Sequence, residues 1–425
     1  MQAILEVPVE PLLAAGFVIT LSLWLVLSVW VVIDRMLYDR RRRRLGVIHR
    51  SLADPQLAEL SYAERAAFVQ QLLDRVPTRL IYRMAGDDEL PAWVREECAR
   101  MALAVIGLPQ MLRDATPHRG ARRKWRRVSA LHVLLHARPN AIHALLRAAL
   151  ADPDADVASA AATVLQRIGD ARAAQILIEG LRTSRLPASR IAARLERFTI
   201  SLAELLKPML ADERPEMRYW AATLLRDHHD ENNLSAALMP LVDDTDAPVR
   251  KAALLTLGAM VPMGVTRVAT RRLSDPAPFV RSAAVRALAQ AGERTPDRAR
   301  RKAMAASLCP LLADREWTVR AAAKDALVCL GPGVWREVAA ELSSRDGFAR
   351  NGAAEVLQNL GVLDWTLRGI ASGAHPTDEA VDVLKRALRE GGLAMSRAAA
   401  LRSKDEPIQG VDELLRTLQL EGAAS

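Results

Sequence analysis

The sequence predicts an all-α protein, with a single transmembrane helix near the N-terminus followed by an α-solenoid of about nine to ten helical hairpins. Three observations support this fold class. An uncharged run of 22 residues, Leu12–Ile33, begins close to the N-terminus. Beyond it, one helical motif recurs about every 31 residues. Aromatic residues make up only 4% of the chain, and the alternating β-branched runs typical of strands are nearly missing beyond the N-terminus.

The apolar run has the length of a membrane span. At about 1.5 Å per residue it extends about 33 Å, which exceeds the ~30 Å hydrocarbon layer of a bilayer. Residues 1–11 carry Glu6 and Glu10, and the basic side chains follow the run, which disfavours a cleaved signal peptide. Because arginines stay on the cytoplasmic side, we expect the N-terminus outside the inner (plasma) membrane and the remaining chain in the cytoplasm.

Residues 34–60 are predicted to form a basic juxtamembrane segment and linker. Five consecutive arginines follow the apolar run, and we expect them to contact anionic lipid headgroups. They are Arg40, Arg41, Arg42, Arg43 and Arg44.

The repeated motif is clearest in Asp244–Gly258, which reads DTDAPVRKAALLTLG. An acidic turn precedes a helix whose first turn tolerates Pro248, since proline there sacrifices no helical hydrogen bond. Gly258 is interpreted as the left-handed residue that ends the helix. Alone, this helix cannot bury its apolar face, so repetition is expected to supply the core.

Copies of the motif keep one register over most of the chain. We call the residue that corresponds to Arg250 the index residue, and an acidic residue precedes it by six positions in most copies. The index residues are Arg95, Arg127, Ala158, Arg190, Arg218, Arg250, Arg281, Arg320 and Arg350. The acidic residues are Glu89, Asp152, Asp212, Asp244, Asp275 and Asp314. Each index helix (helix B) follows a second apolar helix (helix A), so the repeating unit is a helical hairpin.

This pattern resembles the HEAT-repeat family, in particular the short bacterial repeats also seen in phycobilisome-lyase-type proteins. The resemblance implies a right-handed solenoid over residues 61–390, with the B helices on the concave face. It also implies that the acidic and index residues form a structural ladder, comprising Asp212, Arg218, Asp244, Arg250, Asp275, Arg281, Asp314 and Arg320.

Three copies depart from the pattern, and we expect them to pack less regularly. Arg190 has no aspartate six positions before it, Ala158 replaces an arginine, and Asp346 is displaced in the last copy. One step of 39 residues indicates an inserted loop at Ala291–Arg301. Residues 391–425 are predicted to be a C-terminal cap or tail, because Gly391 and Gly392 should break the helix.

Two basic clusters are candidates for binding a partner. They contribute Arg122, Arg123, Lys124, Arg298, Arg300 and Arg301. An acidic protein face, lipid headgroups or nucleic acid are the possible anionic partners. A net charge of +9 is low for a nucleic-acid-binding chain of this length, so nucleic acid is disfavoured.

Catalytic and metal-binding motifs are not evident. His132 and His136 have i, i+4 spacing but lack the intervening glutamate and a third ligand of a zinc site. Cys98, Cys309 and Cys329 lie in apolar patterns, and we interpret them as core residues. Trp125, Trp220 and Trp317 would line a nucleotide-binding face in a HEAT-fold glycosylase, but we expect them to pack between units.

The sequence therefore predicts a non-catalytic, membrane-anchored scaffold or adaptor that binds a protein partner within a membrane-associated complex. It predicts no cofactor, no metal and no small-molecule substrate. The alternatives left open are a HEAT-fold enzyme, either a lyase or a nucleic-acid-modifying protein, and a binder of anionic lipid or nucleic acid.

Overall fold

The structure is a computed structural model. It describes residues 51–52, 54–73, 76, 78–87, 89–116, 124–137, 141–226, 234–371 and 376–402, and isolated positions between 22 and 50. This part of the chain consists of helices and turns and contains no β-strand. The prediction of an all-α protein is confirmed.

Most of the predicted membrane span lies outside the described residues, as do the basic run at 40–44 and the tail at 403–425. Among the residues that the structure does describe, no helix combines the length and the apolar character needed to cross a bilayer.

The chain divides into two compact units. The first contains residues up to Ile168, together with Ser184–Leu186. Its described helices are α1 (Tyr62–Leu73), α2 (Thr78–Met84), α3 (Ala92–Ile106), α4 (Leu108–Ala115), α5 (Lys124–Ala137), α6 (Ile142–Leu150) and α7 (Ala155–Ile168). Helices α3, α5 and α7 carry the index residues, and α5 packs against both of the others.

The second unit contains Gly169–Thr183 and the chain from Pro187 onward. Its first helices are α8 (Ala171–Thr183), α9 (Ala188–Leu195), α10 (Ala203–Leu206), α11 (Pro215–Leu224), α12 (Leu234–Leu238), α13 (Ala247–Met260) and α14 (Val265–Arg271). They are followed by α15 (Pro278–Glu293), α16 (Arg298–Leu308), α17 (Trp317–Cys329), α18 (Trp335–Ala340), α19 (Gly347–Asn359), α20 (Val362–Ala371) and α21 (Asp378–Arg402).

Helices A and B alternate through the second unit, and each B helix from α11 to α19 packs against the next B helix. Small residues allow this close approach. Ala253, Ala284 and Ala323, on three successive B helices, are fully buried. Helix A commonly ends in a 3₁₀ turn, where Pro208, Pro240 or Pro310 removes an N–H that the α-helix would need.

Gly258 does not end its helix, so that prediction is wrong. Helix α13 continues to Met260, and Val261 adopts the left-handed conformation with φ of 50°. Val261 precedes Pro262, which disfavours the right-handed helical region for the preceding residue. Gly258 is buried instead, and a Cβ atom there would lie 2.9 Å from the Cα of Ala287 on α15. It is glycine because two helices meet there.

Two further predictions of irregular backbone are also wrong. Residues 291–301 do not form one inserted loop, because α15 extends to Glu293 and α16 begins at Arg298. The extra residues therefore mainly lengthen two helices. The predicted break at Gly391 and Gly392 does not occur, since α21 runs on to Arg402. Glycine costs a helix only about 1 kcal/mol per residue and keeps its N–H, unlike proline.

Candidate functional site

The index arginines of the second unit bind in two directions. Arg250 donates from Nη1 to the carbonyl oxygens of Asp244 and Thr245, at 2.9 and 3.2 Å, which closes its own turn. Its Nε and Nη2 donate to the two carboxylate oxygens of Asp275, at 2.9 and 2.8 Å. Asp275 belongs to the next hairpin, so one side chain joins two repeats through a bidentate, charge-assisted contact.

The same geometry recurs on either side. Arg218 binds the Asp244 carboxylate at 2.7 and 2.8 Å, and Arg281 binds Asp314 at 2.7 Å through both nitrogens. We call each such arginine–aspartate pair a closed rung. Each rung aspartate also accepts a backbone N–H two residues later, as Asp275 does from Ala277.

The closed rungs favour charged aspartates. Burial alone would raise the pKa of Asp275, but the hydrogen bonds from Arg250 and the Ala277 amide outweigh it, and the pKa lies below its usual range. The pKa values of Asp244 and Asp314 are lowered for the same reasons. The three rungs are therefore structural contacts between ionised groups, and their carboxylates are already occupied.

Two irregular copies are bridged differently. Arg190 is exposed, and Arg182 from the end of α8 forms the ion pair with Asp212 instead. Ser184 occupies the position of the missing aspartate, six residues before Arg190, and its hydroxyl donates to the Leu150 carbonyl at 2.9 Å.

The ladder changes again at Arg320. This arginine closes its own turn in the usual way, donating to the carbonyl oxygens of Asp314 and Arg315 at 2.7 and 3.2 Å. The position that would supply the next carboxylate is Ser344. Asp346 caps α19 by accepting the Ala349 N–H, as Asp246 caps α13, so it is not a displaced rung residue. The Arg320 guanidinium instead lies 4.3 Å from the ring centre of Phe348.

A surface cleft of about 240 Å³ opens beside this arginine, between α17 and α19. Two exposed aromatic side chains form part of its wall: Trp317 is 69% exposed and Phe348 is 62% exposed. It is lined by Leu312, Trp317, Arg320, Ala321, Lys324, Phe348, Asn351 and Gly352. Lys324 forms an ion pair with Glu355 at 2.6 Å, so its charge is compensated.

Exposed aromatic side chains also begin other B helices, so the expectation that the tryptophans pack between units is wrong for two of the three. Trp125 and Trp317 are exposed, whereas Trp220 is half-buried and contacts Tyr219 edge to face. Phe279 is exposed at the start of α15, with the Lys251 ammonium 6.0 Å from its ring centre. The first turn of these helices also carries a buried residue, Val280 after Phe279 and Val319 after Trp317, so periodicity alone did not show which side of the turn the aromatic ring takes.

A second cleft, of about 510 Å³, lies in the first unit between α3 and α5 and also involves α7. It carries the arginines Arg95, Arg100 and Arg167 together with His136 and Glu96. His132 on the same helix as His136 is buried, and burial lowers its pKa to about 4, with Arg95 and His136 contributing. In the described ranges, no group of three or more His, Cys, Asp or Glu side chains is placed so that it could hold a metal ion.

The predicted basic clusters are only partly described and partly compensated. Arg122 and Arg123 lie outside the described residues, whereas Lys124 pairs with Asp156 at 2.7 Å. Arg300 pairs with Asp297 at 3.4 Å, and Arg301 donates to the Thr295 carbonyl at 2.7 Å.

Arg298 is exposed at the first position of α16.

Cys98 and Cys309 are buried core thiols as predicted, but Cys329 is exposed.

Residues 235–328 match the family model of HEAT repeats. No curated protein matches the chain. Among solved structures it is similar to an engineered protein at 17% identity, covering 85% of this chain and 99% of that one, with a TM-score of 0.41.

The chain is also similar to a chain of the Kap95:Nup1 complex, at 13% identity over 78% of this chain and 53% of that one, with a TM-score of 0.46. For the karyopherin Kap121p bound to the SUMO protease Ulp1p, the identity is 13% over 89% and 48%, with a TM-score of 0.48. This chain spans about half the length of these last two matches. Identities this low do not transfer a function.

Proposed function

We propose that this protein is a membrane-anchored scaffold or adaptor, built from short HEAT-type repeats, that binds a protein partner in a membrane-associated complex. The observation that carries the proposal is the exposure of large aromatic side chains at the starts of successive B helices. Phe279, Trp317 and Phe348 begin α15, α17 and α19. Each is a residue type that dominates the energetics of protein interfaces, either as a hot spot or as buried apolar area.

Cations beside two of these three rings favour a protein partner over a lipid or nucleic-acid surface. Lys251 accompanies Phe279, and Arg320 accompanies Phe348. An apolar ring next to one cation suits a polypeptide, which presents apolar and acidic side chains in alternation. Three of the four described members of the basic clusters support a polyanion less well, because Lys124, Arg300 and Arg301 already bond to protein oxygens.

The membrane anchor rests on the sequence. The apolar run of residues 12–33 is long enough to span a bilayer, and Arg40–Arg44 follow it directly. We propose that the repeats lie on the cytoplasmic side of the inner membrane, where anchoring raises their effective concentration near membrane partners.

Fractionation tests the anchor. The full chain should remain in the membrane pellet after carbonate extraction, and a variant lacking residues 1–44 should appear in the supernatant. Protease added to intact spheroplasts should spare the repeats and digest them after lysis. Release of the full chain by carbonate, or digestion in intact spheroplasts, would contradict the anchor or its orientation.

Photo-crosslinking tests partner binding. A p-benzoylphenylalanine at position 279, 317 or 348 should give adducts of discrete size in the native host cells. Met263, which is 98% exposed in the turn after α13, is the matched control position and should give none. Equal labelling at position 263, or no adduct at any position, would contradict the scaffold function.

A further inference from the structure

We propose that the cleft beside Arg320 binds an aspartate side chain of a partner polypeptide, with adjacent apolar side chains of that polypeptide against Trp317 and Phe348. This inference rests on the proposed scaffold function and names the chemistry of one contact. In the preceding repeats, the Nε–Nη2 edge of the index arginine binds an aspartate carboxylate.

Three closed rungs show the ligand of this edge. In Arg218, Arg250 and Arg281, the Nε–Nη2 edge holds an aspartate carboxylate at 2.7 to 2.9 Å in a bidentate contact. Arg320 keeps the other half of the arrangement, since its Nη1 bonds to two carbonyl oxygens of its own turn. In the described chain, Ser344 stands where the rung aspartate would be, and a serine hydroxyl cannot provide a two-oxygen anion.

The neighbouring arginine confirms how unusual this position is. Arg350 begins the following rung, and it pairs with Glu390 at 2.8 Å. From Arg218 to Arg350, the described part of the second unit supplies a carboxylate to every index arginine except Arg320. An ionised guanidinium with a half-buried setting and no anion is expected to recruit one.

Arg320 is held in position before any partner arrives. The two turn carbonyls fix Nη1, and the Phe348 ring lies against the guanidinium at 4.3 Å. A cation over an aromatic ring keeps its edge available for hydrogen bonding. Because the side chain is already ordered, binding a carboxylate costs little additional conformational entropy.

The cleft also has room and charge for a peptide. Its volume of about 240 Å³ accommodates one or two side chains, and Gly352 adds no side chain to its lining. Arg315 and Arg345 are exposed in the two turns that flank it. The charges of Asp314 and Glu355 are compensated by Arg281 and Lys324. Arg315 and Arg345 therefore add positive charge in the turns beside Arg320, which suits an acidic ligand.

The test introduces an aspartate within the chain that competes with the peptide for Arg320. In the variant Ser344→Asp, the new carboxylate occupies the position that Asp275 and Asp314 have in their rungs, so it should pair with Arg320. Ser344→Asn is the matched control, because asparagine has the same shape without the charge. Full-length protein in detergent micelles is immobilised, and blocked peptides acetyl-Gly-Leu-Asp-Trp-Gly-amide and its Asn counterpart are titrated by surface plasmon resonance to millimolar concentration.

We expect wild type and Ser344→Asn to bind the Asp peptide about tenfold more tightly than the Asn peptide, as suits one charge-assisted bidentate contact. For Ser344→Asp that ratio should fall to about one, with an unchanged or higher Tm. Two further measurements test other anions. If an Asn peptide with a free C-terminal carboxylate bound as tightly as the Asp peptide, or if inorganic phosphate abolished the preference for the Asp peptide, the site would be an unselective anion site and the proposal would be overturned.

Equal affinities of the two peptides for wild type, no binding at millimolar peptide, or a ratio that persists in Ser344→Asp would each overturn the proposal. Failure of the aspartate site can be distinguished from failure of the scaffold function. Crosslinks at positions 279 and 348 that survive in Ser344→Asp, while the peptides show no preference, would remove the aspartate site and leave the scaffold function in place.

Discussion

Two neighbouring regions of the second unit differ mainly in one turn residue. Between α13 and α17, the turns supply Asp275 and Asp314, and the index arginines before them are tied into closed rungs. Between α17 and α19, the turn supplies Ser344, and Arg320 faces an open cleft with exposed aromatic walls. The first region uses its charges to hold repeats together, whereas the second keeps a charge for an external ligand.

Removing a rung aspartate should give the largest effect. Asp275 has a side-chain exposure of 0% and Arg250 one of 10%, so Asp275→Ala leaves a nearly buried arginine without its anion. We expect the free energy of unfolding to fall by about 3 kcal/mol. The matched change Ser344→Ala removes only a 3.3 Å contact with the Asp346 amide and should cost less than about 1 kcal/mol. Urea denaturation followed by circular dichroism measures both, and equal losses would abolish the distinction between the regions.

Helix spacing gives the next largest effect. In Gly258→Ala, the new methyl group would meet the Ala287 backbone at 2.9 Å, and we expect a loss of about 2 kcal/mol from overpacking. Gly347→Ala, at the start of α19, is the control, because its nearest atom lies 3.8 Å away. It should be neutral or stabilising through helix propensity. A neutral Gly258→Ala would show that α13 and α15 can separate freely.

Acid should weaken the region of closed rungs. The pKa values of Asp244, Asp275 and Asp314 are lowered in the folded state, so these groups stabilise the protein above their unfolded pKa near 4. That contribution disappears as pH falls through the lower folded values. We expect a loss of at least about 1 kcal/mol between pH 5 and pH 3.

Thermal melts over that range measure the effect, and Asp275→Ala should show a shallower dependence than wild type. If both proteins lost stability in parallel, the Asp275 rung would not be a source of the acid sensitivity.

An exposed ion pair should give the smallest effect. Asp243 pairs with Arg271 and Arg272, but its side chain is 42% exposed and that of Arg271 is 58% exposed. Although these contacts lower the pKa of Asp243, solvent screens them. We expect Asp243→Asn to cost less than about 1 kcal/mol by urea denaturation. A loss as large as that of Asp275→Ala would mean that burial is not what makes a rung strong.

Register and composition were sufficient for the all-α class and for the positions of the repeats. They work because an index arginine and an aspartate six residues earlier recur about every 31 residues, and because the apolar residues of each helix follow the helical period; both patterns can be read from the sequence. They misjudged Gly258, Trp125 and Trp317, since each depends on what the next repeat brings near it. A glycine at a helix end and a glycine at a helix crossing look the same in one dimension.

The sequence by itself determined that this chain would form repeated helical hairpins, because proline, aspartate and alanine act within a single turn or helix. Only the tertiary structure decided which charges meet. Arg182 replaces Arg190 as the partner of Asp212, and Arg320 lies against Phe348 without a carboxylate. Those outcomes depend on distances between side chains about 25 to 33 residues apart, which are set by how hairpins pack and not by any local preference.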